Sequence, residues 1–589
     1  MPTHKQLSMC DGCFFKKNPN KKILIMIKKT LFLLCAMLLS AVGIAAAAEP
    51  ESKGQTISVV DFGAKPDDGK DDTRALRRAA EYCRENAGTT LYMPAGVYRL
   101  RDAEAERLEQ EVMSGKMGQN PEGTIFKPYY PYVRGLDFEG SVSTTIDARG
   151  AVLMCEGWME PLSIVGSQDF TVRGLTIDYK RKPFSEGRVC AIDEKTFTVQ
   201  FGPERTLTMD TPFPRVMLWD NKISGIYRSP FYFARQEVLE GNKVVFKGKL
   251  PEYMMDAPVA TPHSFHFRPA ILVWRSTNTT IENVTIHSQC GMGIVGFDSR
   301  DVTIKGLNII PSEGYTFSTN TDATHFACCE GTISFDGCMF RGQGDDATNV
   351  HGYYHDIASV EDGWATLTLK APTYTHIQVA DVPRVGDKME IVKISTLEVV
   401  GEAEVVDVQH EAPQVDVKVR LNCDLPEKFE EYYLFNVTKL PRLEFRRSTV
   451  WGNLARCVLA KTRGVVIEDN IFRGSTGTAI HVGAESVWKE GTHAKDLVIQ
   501  RNVMVNCGLG AGCQYGAAGI AVVIGTPDTE GTTLHDGVKI IDNTIIGTGD
   551  TTTCGISVRN AKNIEVLRNR VEGCGLTLET RSVENLVVE

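Results

Sequence analysis

The sequence predicts an all-β protein, a right-handed parallel β-helix, and two observations carry that prediction. A six-residue pattern, apolar at both ends with polar or small residues between, recurs along the chain. It reads VRGLTI from Val172, IENVTI from Ile281, IKGLNI from Ile304, FDGCMF from Phe335, FRRSTV from Phe445, IEDNIF from Ile467, IQRNVM from Ile499, IIDNTI from Ile540 and VLRNRV from Val566. The close spacings between starts run from 22 to 41 residues, a period that marks a solenoid or array. The units are rich in β-branched residues, with Asn and Gly between them suited to the turns of coils, and apolar residues at 3.6 spacing are missing.

Composition sets the class. The chain has 589 residues, 42% hydrophobic and 23% charged, with 53 glycines, which describes a globular protein with room for more than one domain. A formal charge of −10 argues against nucleic acid or an anionic membrane as partner, because both select basic patches. Residues 1–48 read as an upstream extension and export signal. Lys28 and Lys29 precede the apolar run Leu31 to Ala48, which ends in four alanines. Met26 is a plausible start, and an uncleaved anchor is the alternative reading. The expected location is periplasmic or secreted. No later run approaches the roughly 20 apolar residues that span a bilayer, so no stable membrane insertion is expected after cleavage. Of 16 cysteines, Cys10, Cys13 and Cys35 lie in this leader. An odd remainder at irregular spacing is no disulfide framework; small buried fillers are the expectation.

Residues 49–182 should form an N-terminal cap and the first coils. A short strand near Ile57 leads into an Asp- and Gly-rich turn. Asp72-Thr73 then opens an amphipathic helix with Leu76, Ala79, Ala80 and Cys83 on one face. A strand restarts at Thr90, and Pro94-Ala95-Gly96 turns into the next. This pattern resembles the N-terminal cap of β-helices in the pectate-lyase-like superfamily, and a cap covers the apolar end a solenoid would otherwise expose. The aspartates here suit turns and helix capping rather than catalysis.

Two gaps break the period, 109 residues from Val172 to Ile281 and 110 from Phe335 to Phe445. Each contains alternating strand-like runs, such as KTFTVQFG from Lys195 and KMEIVKISTLEVVGEAEVVDVQ from Lys388. The division is therefore an inserted antiparallel β module at 183–270, coils at 271–354, a second module at 355–440, and C-terminal coils at 441–589. Insertions in solenoids gather on one face, and the second opens just after Gly352.

Between the modules lie STNTDATHF and RGQGDDATNVHG, holding Asp322 and, 23 residues later, Asp345 with Asp346. Residues one coil apart stack at about 4.8 Å, so Asp322 should share a face with that pair on the next rung. Clustered carboxylates raise at least one pKa, supplying an acid beside a base for glycoside hydrolysis. Carboxyls roughly 6.5 to 9.5 Å apart leave room for a water and invert the anomeric centre.

Asn320-Thr321-Asp322 followed by Gly344-Asp345-Asp346 resembles the NTD and DD motifs of polygalacturonases, glycoside hydrolase family 28. The longer GQGDDATNVHG, the export signal and the two insertions look more like glycoside hydrolase family 110, exo-acting α-1,3-galactosidases of blood group B and linear Galα1-3Gal ends. The resemblance implies an inverting enzyme with no cofactor and no metal, and a homodimer. It implies Asp345 as the acid, with Asp322 and Asp346 positioning and deprotonating the water. A Gly-His-Gly one coil after the pair and an Arg-Ile-Lys are missing, which disfavours pectin. Gln343, His325 and His351 flank the acids and suit either sugar hydroxyls or structure, and Asn320 belongs to the first motif. Arg456, on the coil after the second module, faces either groove or core. Glu485 and Trp488 lie at a coil end, where Trp488 would stack on a sugar or pack a loop. A hydrolase of another α-linked glycan is the alternative, since fold does not fix substrate. A polysaccharide lyase lacks its basic stripe, and a purely binding solenoid has no need of three carboxylates.

Overall fold

The computed structural model describes residues 54–369, 374–513, 515–526, 531–547 and 552–589. The expected export signal lies outside the described residues. Among those described, no helix is long and apolar enough to cross a membrane.

The fold class is as expected: parallel strands stack rung on rung into a right-handed β-helix with two inserted antiparallel modules. All nine six-residue units fall in one column. Val172 pairs with Ile281, Ile281 with Ile304, Ile304 with Phe335, and Phe335 with Phe445. The column continues through Ile467, Ile499, Ile540 and Val566 to Val588. Below Val172 it extends through Ile146 and Leu91 to Ile57. From Ile57 to Val566 these side chains are buried in one continuous core, because a shift by a single residue would turn every apolar side chain outward; Val588, on the last rung, is exposed.

A second parallel face runs from strand Gly96–Arg101 to strand Arg570–Glu572. A third stacks strands Glu160–Val165, Ile271–Trp274, Ile294–Phe297, Thr324–Ala327, Thr348–Glu361, Val458–Lys461 and Ile480–Val482. The fourth position of the later units holds a polar ladder at the turn. Asn470, Asn502, Asn543 and Asn569 each receive the side-chain amide of the residue one rung before or pass theirs to the next, at 2.9 Å per step. Each carboxamide oxygen also accepts a backbone N–H from the preceding rung, as Asn502 does from Asn470. The ladder thereby satisfies turn amides that the core would otherwise strand.

The cap helix is Thr73–Glu85, and it buries Leu76, Ala79, Ala80 and Cys83. Asp72 bonds the amides of Lys65 and Arg99, and Asp67 that of Val97. These carboxylates hold turns together. Among the described residues the 13 cysteines are free thiols, most of them buried.

Each module has its own small core. The first packs Phe197, Phe201, Phe213 and Phe246 between antiparallel strands. The second packs Met389, Val405, Val419 and Leu434. Strand Thr348–Glu361 belongs to both architectures. Its first residues pair in parallel with neighbouring rungs, and its later ones turn antiparallel into the second module.

Replacing Asn502 by Ala should destabilise the protein by roughly 1–3 kcal/mol, since it leaves buried ladder partners unpaired. Chemical denaturation would read this as a lowered midpoint.

Candidate active site

The acids sit where rungs enter the third face. Thr324 pairs with Thr348 and Thr348 with Val458, and the amides of Ala323 and Ala347 donate to the carbonyls of Asp346 and Arg456. Asp322, Asp346 and Arg456 therefore occupy equivalent places on three successive rungs, each two residues before its strand. Asp345 stands one residue earlier. Ala323 and Ala347, just before the strands, and Phe326 and Val350 within them lie in the core, and alternation then turns His325 and His351 to the opposite side.

Each of the three acids offers an oxygen within 4.8 Å of the other two. That is closer than the roughly 6.5 to 9.5 Å expected of two carboxyls holding a water between them. The physical reason is the rung spacing, which brings Asp322 over Asp346 at strand distance. Asp322 and Asp346 are buried, whereas a third of the Asp345 side chain is exposed. Burial raises Asp322 well above the ordinary carboxyl value and the Asp345 charge raises it further, against His266 and Arg456. Burial likewise raises Asp346, opposed chiefly by Arg456. Both buried carboxyls thus favour protonation more than an ordinary carboxyl does.

Two arginines balance the acids. The Arg456 guanidinium lies 3.1 Å from Asp346 Oδ1, and its own backbone N–H donates to that oxygen at 2.7 Å. Arg215, from strand Arg215–Asp220 of the first module, comes within 3.8 Å of Asp345. It also donates to the Asn320 carbonyl and lies over the Phe265 ring.

Several expected sugar contacts are committed elsewhere. The Asn320 side-chain amide donates to the carbonyls of Pro183 and Ser264, tying the first module to the rung. Gln343 is fully buried, and its carboxamide makes no protein hydrogen bond. His325 and His351 are buried and bonded to each other, His325 also to Asp322 and His351 to the Gly352 carbonyl, so their ring nitrogens meet protein atoms. Glu485 receives Arg456 at 3.3 Å and Lys461 at 2.6 Å. Trp488, on the short turn Ser486–Trp488 after Glu485, is 55% exposed.

Sequence reasoning missed the groups that the modules deliver. His376 reaches His325 from the second module, with ring centroids 4.0 Å apart. His266, ending the first insertion, pairs with Glu122 of the cap at 3.3 Å. Burial works against charge on that ring, yet the Glu122 bond holds it raised, with Asp322 and Asp345 adding to the effect. Arg215 alone carried a signal, as a charge in the otherwise apolar run RVMLW.

Two groups gather enough donors to suggest a cation, the three acids and His325 with His351 and His376. For the histidines the Nε2 atoms of His325 and His351 are 2.8 Å apart. Two nitrogens on a tetrahedral metal stay about 3.3 Å apart, given bonds near 2.0–2.1 Å. The shorter contact is a hydrogen bond. Beside the acids, Arg215 and Arg456 supply the positive charge.

The family model described as "Rhamnogalacturonase A/epimerase, pectate lyase-like" matches residues 56–118, the cap. A protein named α-1,3-galactosidase A from Shewanella woodyi is 26% identical over 83% of this chain and 81% of its own length. Proteins named α-1,3-galactosidase B from Parabacteroides distasonis and Bacteroides fragilis are 26% and 25% identical, over 76% and 81% of this chain and 77% and 84% of theirs. An exopolygalacturonase from Thermotoga maritima aligns over 91% of this chain and 93% of its own, with a TM-score of 0.42 and 12% identity. So distant a likeness adds nothing to the reading of the site.

Glu485 gives a stability test. Burial pushes its carboxyl up, but Arg456 and Lys461 overcome this and bring it down to about 2 from 4.5. A depressed carboxyl stabilises the fold above its unfolded pKa, and the gain is lost as pH falls through the folded one. Its share, about 3 kcal/mol at neutrality, should vanish between pH 4.5 and about 2. Glu485→Gln should be less stable than wild type at pH 6 and approach it toward pH 2 in denaturation curves. The repeat column and the named relatives converge on one conclusion: the chain is a glycoside hydrolase on a right-handed β-helix, its cap matches a pectate lyase-like family model, and it is similar over most of its length to proteins named α-1,3-galactosidases.

Proposed function

We propose that this protein is an exo-acting, inverting α-1,3-galactosidase that removes terminal galactose from blood group B or linear Galα1-3Gal glycans. The observation that carries the reading is the division of the acids into a buried pair, Asp322 with Asp346, and a more exposed neighbour, Asp345. The exposed carboxyl is the one a leaving oxygen can reach, and it protonates that oxygen. The buried pair binds the water and takes its proton. Arg215 and Arg456 fix the carboxylates and offset their charge.

Inversion is supported by the family resemblance, with the water lying beside the buried pair and not midway between distant carboxyls. Lone glycosidic oxygens and sugar hydroxyls need no Lewis acid where a guanidinium stands on each flank, so we propose metal-independent hydrolysis. Trp488 forms the apolar rim against which the sugar stacks. The chain acts after export, with residues 1–48 as the removed leader. The substrate assignment is supported by the names of the relatives.

Residues 49–589 should release galactose from a Galα1-3Gal disaccharide or the branched blood group B trisaccharide, with EDTA present. Asp345→Asn should lose roughly 10²- to 10⁴-fold in kcat, the usual share of general acid–base catalysis, as should Asp322→Asn. Proton NMR of the first product should show β-galactose. Initial α-galactose would overturn inversion, and no release from either glycan would overturn the substrate assignment.

A further inference from the structure

His325 and His351 are buried titratable groups that the acid–base reading leaves without a task, and their bonds fix where protons sit. His351 Nδ1 lies 3.0 Å from the Gly352 carbonyl oxygen. A carbonyl only accepts, so this nitrogen carries a proton. Burial brings His351 down to about 3, which keeps the ring neutral and leaves its Nε2 a lone pair. That Nε2 is 2.8 Å from His325 Nε2. His325 must therefore be the donor there. Its other nitrogen, Nδ1, is 2.7 Å from Asp322 Oδ2. Two bare acceptors would repel at that distance, so one proton lies in the contact, on the ring or on the carboxyl.

We infer that His325 is a positioning residue for Asp322: the two share one proton, and His351 fixes the tautomer that makes the sharing obligatory. The inference rests on the acid–base reading above. With the shared proton on the ring, Asp322 is a carboxylate beside an imidazolium, which favours its charged form at a site whose burial opposes it. In the reaction a water O–H bond breaks and its proton passes to Asp322 Oδ1 as the water oxygen bonds the anomeric carbon. The bond from that carbon to the leaving oxygen breaks, and the Asp345 proton passes to that oxygen. The Asp322–His325 pair ends one proton richer and Asp345 one poorer. Exchange with solvent restores both, and the shared proton never leaves the pair.

Other charges face the same groups. Asp345, His266, Arg456 and Glu490 act on Asp322, and the Asp322 charge acts on Asp346. His376 lies against His325, with its Nδ1 2.7 Å from the Tyr353 hydroxyl. Beyond His351, Glu490 is paired with Lys461 at 2.5 Å. All of these remain in a His325→Gln variant, so a change in titration reads the imidazole.

The sign follows from the charge. Losing a cation beside Asp322 disfavours its ionised form, raising its pKa, so the acid limb of kcat/KM should move to higher pH by about one unit or more. His325→Gln should show that movement with a fall in kcat and little change in KM, and His351→Gln a smaller movement in the same direction. The second readout needs no activity: ¹⁵N NMR of histidine-labelled wild type should show His325 protonated at Nε2 and sharing its Nδ1 proton. Asp322→Asn should abolish the sharing. A folded His325→Gln enzyme whose acid limb coincides with wild type, or a His325 ring bare at Nε2, would overturn the inference. If wild type hydrolyses no α-galactoside, the functional reading fails, and the NMR experiment still decides the pairing.

Discussion

Backbone pairing between rungs is the constraint from which the rest of this structure follows. Parallel strands must superimpose at about 4.8 Å, so whatever one rung places at a given position, the next places directly above or below. In the first column this yields an uninterrupted apolar stack from Ile57 to Val588. At the entry to the third face the same rule brings Asp322 over Asp346 and Asp346 beside Arg456. No separate device is needed to gather the acids.

Such stacking would be costly if like charges met without relief. Two carboxylates at rung spacing repel by roughly 3–4 kcal/mol in a medium of intermediate dielectric. The groove answers with cations from three sources: Arg456 from the following rung, Arg215 from the first module and Lys461 behind Glu485. What remains uncompensated is accommodated by protonation, and the bond from His325 to Asp322 localises one of those protons. Electrostatics and architecture are therefore coupled. The rungs supply two of these cations, and the first module supplies the third, Arg215.

The fold was legible because its signal is periodic. Units that begin at Val172 and Val566 announce themselves by the same apolar spacing, and the helix at Thr73 by its buried stripe. The acids were legible for a related reason: Asp322 and Asp345 are one coil apart in sequence, so proximity could be counted. The pair was placed on the correct rung; which member of it stands over Asp322 is decided by hydrogen bonding alone, and it is Asp346. Arg215, His266 and His376 were out of reach. Their places depend on how antiparallel modules fold back over the groove, and no count along the chain predicts that. Polarity misled in the case of Asn320 and Gln343: both flank the acids in sequence, yet one fastens a module and the other is fully buried.

The dual strand Thr348–Glu361 bears on how the chain reaches its native state. Rungs at Phe335 and Phe445 are in contact although 445 − 335 = 110 residues separate them, against 304 − 281 = 23 for a plain coil. Closing the longer loop costs about 1.4 kcal/mol more in chain entropy, which must be met before the stacked contact forms. A strand that begins as a rung and ends as part of the module shortens the search, because it starts the insertion already anchored. The segment following Asp346 is thus a natural place for the two halves of the solenoid to join, and the catalytic groove becomes complete only once the chain on both sides of it has come home.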